Sequence, residues 1–138
     1  MLTVEDQLAI RRLADLYGYL IDERIFSRVD EVFTADVRYD VTDFGGPVLH
    51  GIPAVVDYWR GSDEHPLAHH AVNVLMDERA DGFGDGPVDV VVKGLGVGPR
   101  GRVGSVTYYD VAVRRPDGWR LSSRRAVLRR PDRIPAES

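Results

Sequence analysis

Apolar residues near the start of the chain recur at steps of three and four positions. This spacing is typical of an α-helix with one buried face, and the residues on that face are Ile10, Leu13, Tyr17 and Leu20. Because Tyr17 lies within the apolar face, its hydroxyl group should point toward the protein interior. Asp22 follows where the apolar pattern ends, near the inner edge of the helix C-terminus.

Alternation of apolar and polar residues replaces the helical spacing further along the chain. A period of two predicts strands at 37–41, 48–50, 69–78, 88–97, 102–115 and 119–130. Two shorter helices are predicted around 27–33 and 51–60. The glycine-rich segment Asp81–Pro87 should be a loop, and Pro116-Asp117-Gly118 should form a hairpin turn.

This order of elements predicts an α+β fold. We expect a cone-shaped, curved antiparallel sheet with three helices packed on its concave face, enclosing one cavity at its open end. Glycines inside the long strands favour the bending that such a sheet requires, and they are Gly94, Gly96, Gly98 and Gly104. Residues 1–130 should form this domain, and the polar, proline-containing segment 131–138 should be a flexible tail.

Composition and charge narrow the class of protein. A chain of 138 residues with 43% hydrophobic and 29% charged residues has the size and make-up of one globular domain. The formal net charge of −4 gives no general attraction to nucleic acid, and the arginines near the C-terminus fit a solvated strand edge. No apolar run approaches the roughly 20 residues of a membrane span, and the N-terminus lacks the pattern of a signal peptide. We therefore expect a cytoplasmic protein without a membrane partner.

Several kinds of chemistry find no support in the sequence. The chain has no cysteine, which removes thiol nucleophiles, disulfides and cysteine-bound zinc. The segment from Gly94 to Gly98 leads into a proline and a strand instead of a helix, so it lacks the geometry of a dinucleotide-binding loop. His69 and His70 are neighbours on one strand and should point to opposite faces, so they do not form a metal site together. We expect neither a cofactor nor a metal.

Residues suited to proton transfer come together in the predicted fold. Asp22 ends the first helix, Tyr17 lies on its buried face, and either His69 or His70 must face inward from a long strand. A carboxylate beside an imidazole fixes the tautomer of the ring and raises its basicity. A buried tyrosine can donate a hydrogen bond to a developing oxyanion. The residues alone are equally compatible with a turn aspartate, a core histidine and a packing tyrosine.

Short segments spread over nearly the whole chain resemble the SnoaL-like branch of the nuclear transport factor two superfamily. They occur in the family's order and spacing, and they are Ile10–Tyr17 with Asp22, Phe33–Val37, Gly51–Val55, His69–Asn73, Tyr109-Asp110, Asp117–Leu121 and Arg124. Within that branch the chain is most similar to scytalone dehydratase, bile acid 7α-dehydratase and hexachlorocyclohexane dehydrochlorinase.

The resemblance implies a catalytic base made of two side chains. Asp22 stands at the position of the family's aspartate at the end of the first helix. His69 is selected over His70 because the family's histidine comes four residues before an asparagine, here Asn73. Tyr17 stands where the bile acid enzyme has a tyrosine and the dehydrochlorinase has a lysine, so the sequence does not favour dechlorination.

The resemblance also implies how substrate is held. Arg124 falls at the position of a substrate-contacting arginine, with Arg125 as the alternative if the strand register shifts by one residue. The remaining residues expected to bind substrate or to shape the pocket wall are Tyr39, Trp59, Tyr109 and Asn73.

The function that the resemblance implies is that of a cofactor-free dehydratase, cyclase or isomerase. Its substrate would be an apolar, oxygenated small molecule such as a polyketide or steroid-like intermediate. The alternative is a non-catalytic module that binds a ligand or serves as a dimerising accessory subunit, because fold does not decide function. We also expect a homodimer through the outer face of the sheet, as in resembling proteins.

Overall fold

Two α-helices and six strands make up the regular structure of the described residues. The computed structural model describes residues 1–63, 65–79 and 86–138, so most of the predicted loop Asp81–Pro87 lies outside the described residues. The elements in chain order are α1 Val4–Asp22, β1 Phe33–Asp40, β2 Val48–His50, α2 Ile52–Arg60, β3 Ala68–Glu78, β4 Val88–Val97, β5 Val103–Arg115 and β6 Gly118–Leu128. The predicted helix at 27–33 is a 3₁₀ helix, Phe26–Glu31, and β1 begins directly after it.

Helix α1 forms where the apolar spacing predicts it. Thr3 caps its N-terminus, because the Thr3 hydroxyl accepts the backbone N–H of Asp6 and the Asp6 carboxylate accepts the backbone N–H of Thr3, both at 3.1 Å. The predicted apolar face is buried along its whole length, at Ile10, Leu13, Tyr17 and Leu20. The helix packs against the sheet through this face, which brings its C-terminal end to β3.

The six strands form one curved, open sheet in the order β2-β1-β6-β5-β4-β3. The predicted α+β class, with helices packed on a curved sheet, is confirmed. One pair differs from the expected antiparallel arrangement, because β1 pairs with β6 in parallel. Parallel neighbours need a long connection, and here most of the chain lies between the two strands.

Two β-bulges determine which side chains face inward. In β3 the pairing with β4 shifts by one residue between Val72 and Leu75, and in β6 an extra residue is accommodated around Ser122. Since side chains alternate along a strand, each bulge exchanges the inward and outward positions beyond it. Consequently β6 buries Leu121 before its bulge and Arg124 after it.

The C-terminal segment begins with an attachment to the domain. Residues Pro131–Arg133 form a 3₁₀ turn, and Arg133 Nη1 donates to Asp43 Oδ1 at 2.5 Å. Asp43 Oδ2 also accepts the backbone N–H of Leu128 at 2.7 Å, which holds the end of β6. Within the described ranges, no helix is long and apolar enough to cross a membrane.

Asp6 connects the start of α1 to the β5–β6 hairpin. Its Oδ1 accepts the indole N–H of Trp119 at 3.0 Å and Arg114 Nη2 at 2.7 Å. The bond from Trp119, followed by the backbone bond from Thr3, holds the pKa of this carboxyl well below its usual range. A carboxyl with a lowered pKa in the folded state stabilises the fold above its unfolded pKa, and this contribution is lost as the pH falls.

We expect Asp6→Asn to lower the melting temperature at pH 7. The difference from the wild-type chain should shrink as the pH falls below about 4, near the unfolded pKa of an aspartate. Thermal unfolding monitored by circular dichroism between pH 3 and pH 7 measures this. Glu5→Gln is the matched control, because it removes an equal charge from the exposed side of the same helical turn. An equal effect of both substitutions would contradict the role of Asp6.

Candidate active site

Asp22 binds His69 through both oxygens of its carboxylate. The backbone N–H of His69 donates to Asp22 Oδ2 at 2.8 Å, and His69 Nδ1 lies 2.6 Å from Asp22 Oδ1. Asp22 is the last residue of α1, and His69 is the second residue of β3, so 47 positions of sequence separate them. Their side chains are only 16% and 11% exposed. The carboxylate therefore fixes both the backbone and the ring of the histidine.

The hydrogen bond to Nδ1 defines the chemistry available to the ring. With the ionised carboxylate as acceptor, Nδ1 carries the proton, and Nε2 of the neutral ring carries the lone pair. No hydrogen bond to Nε2 is found among the described residues. His69 is thus an imidazole whose free nitrogen can accept a proton while Asp22 stabilises the resulting imidazolium.

Gly18 allows α1 and β3 to approach closely enough for this contact. A Cβ atom placed on Gly18 would lie 2.8 Å from the carbonyl oxygen of His69 and 3.5 Å from its Cβ. Backbone atoms cannot move aside as a flexible side chain can, so a larger residue would push the strand away from the helix. Glycine inside a helix costs about 1 kcal/mol relative to alanine, and here the close approach to His69 explains its presence.

Arg124 and Asp110 form an ion pair inside the domain. The two residues lie opposite each other on β6 and β5, and both side chains are 1% exposed. Arg124 Nε donates to Asp110 Oδ1 at 2.8 Å and Nη2 donates to Oδ2 at 2.7 Å, a bidentate arrangement. Burial by itself would lower the pKa of Arg124, but the Asp110 carboxylate outweighs it and raises that pKa above its usual range. The guanidinium is therefore charged at every pH at which the protein is folded.

Two tyrosine rings flank the guanidinium. The Arg124 Cζ atom lies 4.2 Å from the centroid of Tyr17 and 4.0 Å from that of Tyr108, both within cation–π distance. Burial raises the pKa of both tyrosines, so their hydroxyl groups remain protonated. The Tyr17 hydroxyl lies 2.9 Å from that of Tyr39, and the Trp59 ring packs edge-on against Tyr17 at 5.8 Å. Tyr39 and Trp59 thus support the site from behind Tyr17.

These groups line a small, partly open cavity. Its volume is about 10 Å³, which is room for one water-sized group. The walls include His69, Tyr17, Tyr108 and Arg124, and the smaller residues between them are Ala14, Gly18, Ala71, Val92 and Gly94. Among the described residues, Arg124 Nη1 is buried without a hydrogen-bond partner. A buried donor of this kind is costly unless a water or a ligand accepts its hydrogen bond.

A second histidine packs against the first. The rings of His65 and His69 are 4.7 Å apart between centroids. Burial, followed by the proximity of His69, lowers the pKa of His65 to about 4. His65 is therefore a neutral aromatic cover over the His69 ring near neutral pH.

The structure places two of the predicted pocket residues away from the cavity. Tyr109 is 43% exposed on the outer face of the sheet, where its ring packs under Arg125, and Tyr108 is the tyrosine of β5 that faces the cavity. Asn73 is exposed at the bulge of β3, where it has a left-handed φ of +52°. Asparagine adopts this conformation more readily than most residues, so its position reflects the geometry of the bulge.

The remaining predicted residues lie in or directly behind the cavity wall. Asp22 and His69 form the contact described above, and Tyr17 and Arg124 pack against each other beside it. His70, the alternative to His69, also borders the cavity, but the residue is exposed, and Arg125, the alternative to Arg124, packs against the exposed Tyr109.

Asp110 is the site residue that sequence reasoning missed. Counting residues outward from the hairpin turn would pair residue 110 with Ser123. The extra residue in β6 shifts the partner of Asp110 to Arg124, and the alternation of apolar and polar residues does not reveal that bulge. The signal that could have identified Asp110 was Arg124 itself, because a guanidinium in the protein interior requires an anionic partner. No group of three or more His, Asp or Glu side chains that could hold a metal ion occurs in the described ranges.

Sequence comparison identifies the family. The sequence model of the SnoaL-like domain matches residues 2–125, nearly the whole chain, and the protein therefore belongs to the SnoaL-like domain family. A comparison with curated protein sequences found no significant match.

Solved structures of similar fold cover almost the entire chain. A candidate aromatic ring hydroxylase from Novosphingobium aromaticivorans is 25% identical, with a TM-score of 0.69 and coverage of 95% of this chain and 94% of that one. A candidate scytalone dehydratase from the same organism is 18% identical, with a TM-score of 0.71 and coverage of 92% and 86%. A type 2 hexachlorocyclohexane dehydrochlorinase is 16% identical, with a TM-score of 0.72 and coverage of 92% and 87%. The latter two likenesses concern the fold alone.

We expect Gly18→Ala to destabilise the protein and to displace His69. Overpacking of this kind costs about 1–3 kcal/mol, which the better helix propensity of alanine offsets only in part. Urea denaturation measures the loss, and NMR signals of the His69 ring report its displacement. Gly104→Ala is the control, because a Cβ at that position meets nothing within 4 Å. An undisturbed His69 signal in Gly18→Ala would contradict the proposed steric limit.

Proposed function

We propose that the protein is an acid–base enzyme of the dehydratase, cyclase or isomerase type that acts on an apolar, oxygenated small molecule. The observation that carries the proposal is the 2.6 Å contact between His69 Nδ1 and Asp22 Oδ1, in which His69 lines the cavity. Such a contact makes the opposite ring nitrogen a base in a place from which bulk water is largely excluded.

The reaction would begin with removal of a proton from a carbon next to a carbonyl group. His69 Nε2 forms the new N–H bond. The electron pair of the broken C–H bond forms a C=C bond, and the π pair of the carbonyl group moves to its oxygen. Asp22 stabilises the imidazolium by accepting its Nδ1–H. The unpaired Nη1 donor of Arg124 and the hydroxyl of Tyr17 are the groups suited to the negative oxygen. In a dehydratase, the hydroxyl group would then leave as water with the proton from the imidazolium. In a cyclase, the enolate carbon would attack a second carbonyl carbon of the same molecule, and the imidazolium would protonate the new oxyanion. In an isomerase, the imidazolium would return the proton to another carbon.

Membership in the SnoaL-like family supports this reading at a general level. Two of the structurally similar proteins carry the names of a dehydratase and a dehydrochlorinase, and both names denote elimination reactions. The second candidate function is a non-catalytic ligand-binding or accessory subunit. The small size of the cavity, about 10 Å³, favours an accessory subunit over turnover of a large substrate.

Hydrogen–deuterium exchange separates the two candidates without knowledge of the substrate. We expect the wild-type protein in D₂O to accelerate exchange of the protons next to the carbonyl group in members of a panel of apolar ketones, followed by proton NMR. Asp22→Asn should reduce the enzymatic rate roughly 10²- to 10⁴-fold, the usual contribution of general acid–base catalysis. His69→Ala should lose the same activity.

The matched control is His50→Gln. His50 is an exposed histidine at the end of β2, so this variant should exchange at the wild-type rate. Circular dichroism confirms that each variant is folded. Unchanged exchange in a folded Asp22→Asn variant would refute the dyad. Absence of exchange in the wild-type protein, combined with ligand binding, would favour the non-catalytic module.

A homodimer through the outer sheet face is part of the proposal. Large apolar side chains on that face are 37–66% exposed, and they are Val72, Leu75, Leu95, Val103 and Tyr109. An apolar surface of this kind on a soluble domain is typical of an interface. We expect a dimer by light scattering at micromolar concentration and a monomer for Leu75→Asp. Leu67→Asp, which changes an equally exposed leucine just before β3, should remain dimeric. A monomeric wild-type protein would contradict the proposal.

A further inference from the structure

The buried arginine offers a ligand only one of its surfaces. Asp110 occupies the edge formed by Nε and Nη2, at 2.8 and 2.7 Å. Tyr17 and Tyr108 cover the guanidinium plane at 4.2 and 4.0 Å. The Nη1 end has no hydrogen-bond partner among the described residues, and Arg124 lines the cavity. A ligand in the cavity therefore meets the guanidinium at Nη1.

The two charged pairs around the cavity offer a ligand no net positive charge. Arg124 carries one positive charge and Asp110 carries one negative charge, so the pair is neutral. Asp22 lies against His69, so this second pair also adds no net positive charge. A ligand carboxylate that entered here would lose its hydration and gain no net positive charge in return. A carbonyl oxygen costs far less to desolvate, and one donor satisfies it.

We propose that Asp110 determines the substrate class by neutralising Arg124, so that the site accepts an uncharged carbonyl compound and rejects the corresponding carboxylate. This inference rests on the proposed function and extends it, because it states that the substrate oxygen near His69 belongs to an uncharged carbonyl group. The carbonyl oxygen occupies the water-sized space and accepts the hydrogen bond from Arg124 Nη1. Asp110 does not touch the substrate and acts through the arginine, which makes it a specificity-determining residue.

The proposal is tested with pairs of probes that share nearly the same shape and differ in charge, one neutral and one negative. 2-Acetylnaphthalene and 2-naphthoate share the same ring system, and a methyl group in the first replaces a charged oxygen in the second. Acetophenone and benzoate form a smaller pair of the same kind. Dissociation constants are measured at pH 7 by NMR titration of the wild-type protein and of Asp110→Asn, which keeps the shape of the side chain and removes its charge.

We expect the wild-type protein to bind the ketone of each pair about tenfold or more tightly than the carboxylate. In Asp110→Asn the guanidinium has no counter-charge, so the carboxylate should gain about tenfold or more and the preference should reverse. Asp89→Asn is the matched control. It removes an aspartate that is paired with an arginine on the exposed side of the same sheet, and it should leave the ratio unchanged.

Each outcome decides the proposal. Tighter binding of the carboxylate by the wild-type protein overturns it, as does failure of either ketone to bind. A folded Asp110→Asn variant with the wild-type ratio also overturns it. If the unpaired guanidinium prevents that variant from folding, the wild-type ratio decides alone. Because binding requires no proton transfer, Asp22→Asn should keep the ketone preference while losing exchange. A ketone preference without exchange in the wild-type protein would therefore refute the proposed function and leave this inference standing.

Discussion

The carboxylate of Asp22 joins the end of helix α1 to strand β3, and the geometry of the cavity depends on this junction. It accepts both the backbone N–H and the ring N–H of His69, so one side chain sets the position of the strand and the direction of the imidazole. The contact requires that helix and strand approach each other closely, which Gly18 permits one turn earlier. The close packing of the two backbones and the orientation of the His69 ring therefore depend on the same contact.

The ion pair between Arg124 and Asp110 is the second feature that hydrophobic packing alone would not produce. Burying two charges costs several kcal/mol for each ion, and an apolar pair of similar volume often serves stability equally well. The surrounding tyrosines recover part of this cost through cation–π contacts. A buried pair with one unused donor beside a cavity is more readily explained by recognition of a polar group than by stability.

Much of this arrangement could be predicted from the sequence, and the failures have a common physical cause. The spacing of the apolar residues in α1 locates Tyr17 and Asp22 correctly, because a helix has one regular period. Alternation in a strand holds only until a bulge, and two of the long strands that contribute to the site, β3 and β6, contain one. Counting by twos from His69 places Asn73 inside, whereas it lies exposed at the bulge. In β5, both faces of the strand carry apolar residues. The sequence therefore shows no alternation that would distinguish the inward-facing Tyr108 from the outward-facing Tyr109.

The bulge in β6 also affects how site residues are compared among relatives of this chain. A relative that lacks the extra residue near Ser122 would keep an arginine opposite the same aspartate with a strand that is one residue shorter. Aligning the two sequences from the hairpin turn without a gap inside the strand would then match that arginine with Ser123, one position before the arginine that pairs with Asp110. Within this family, single-residue insertions in the middle of strands can thus preserve a site while shifting its numbering.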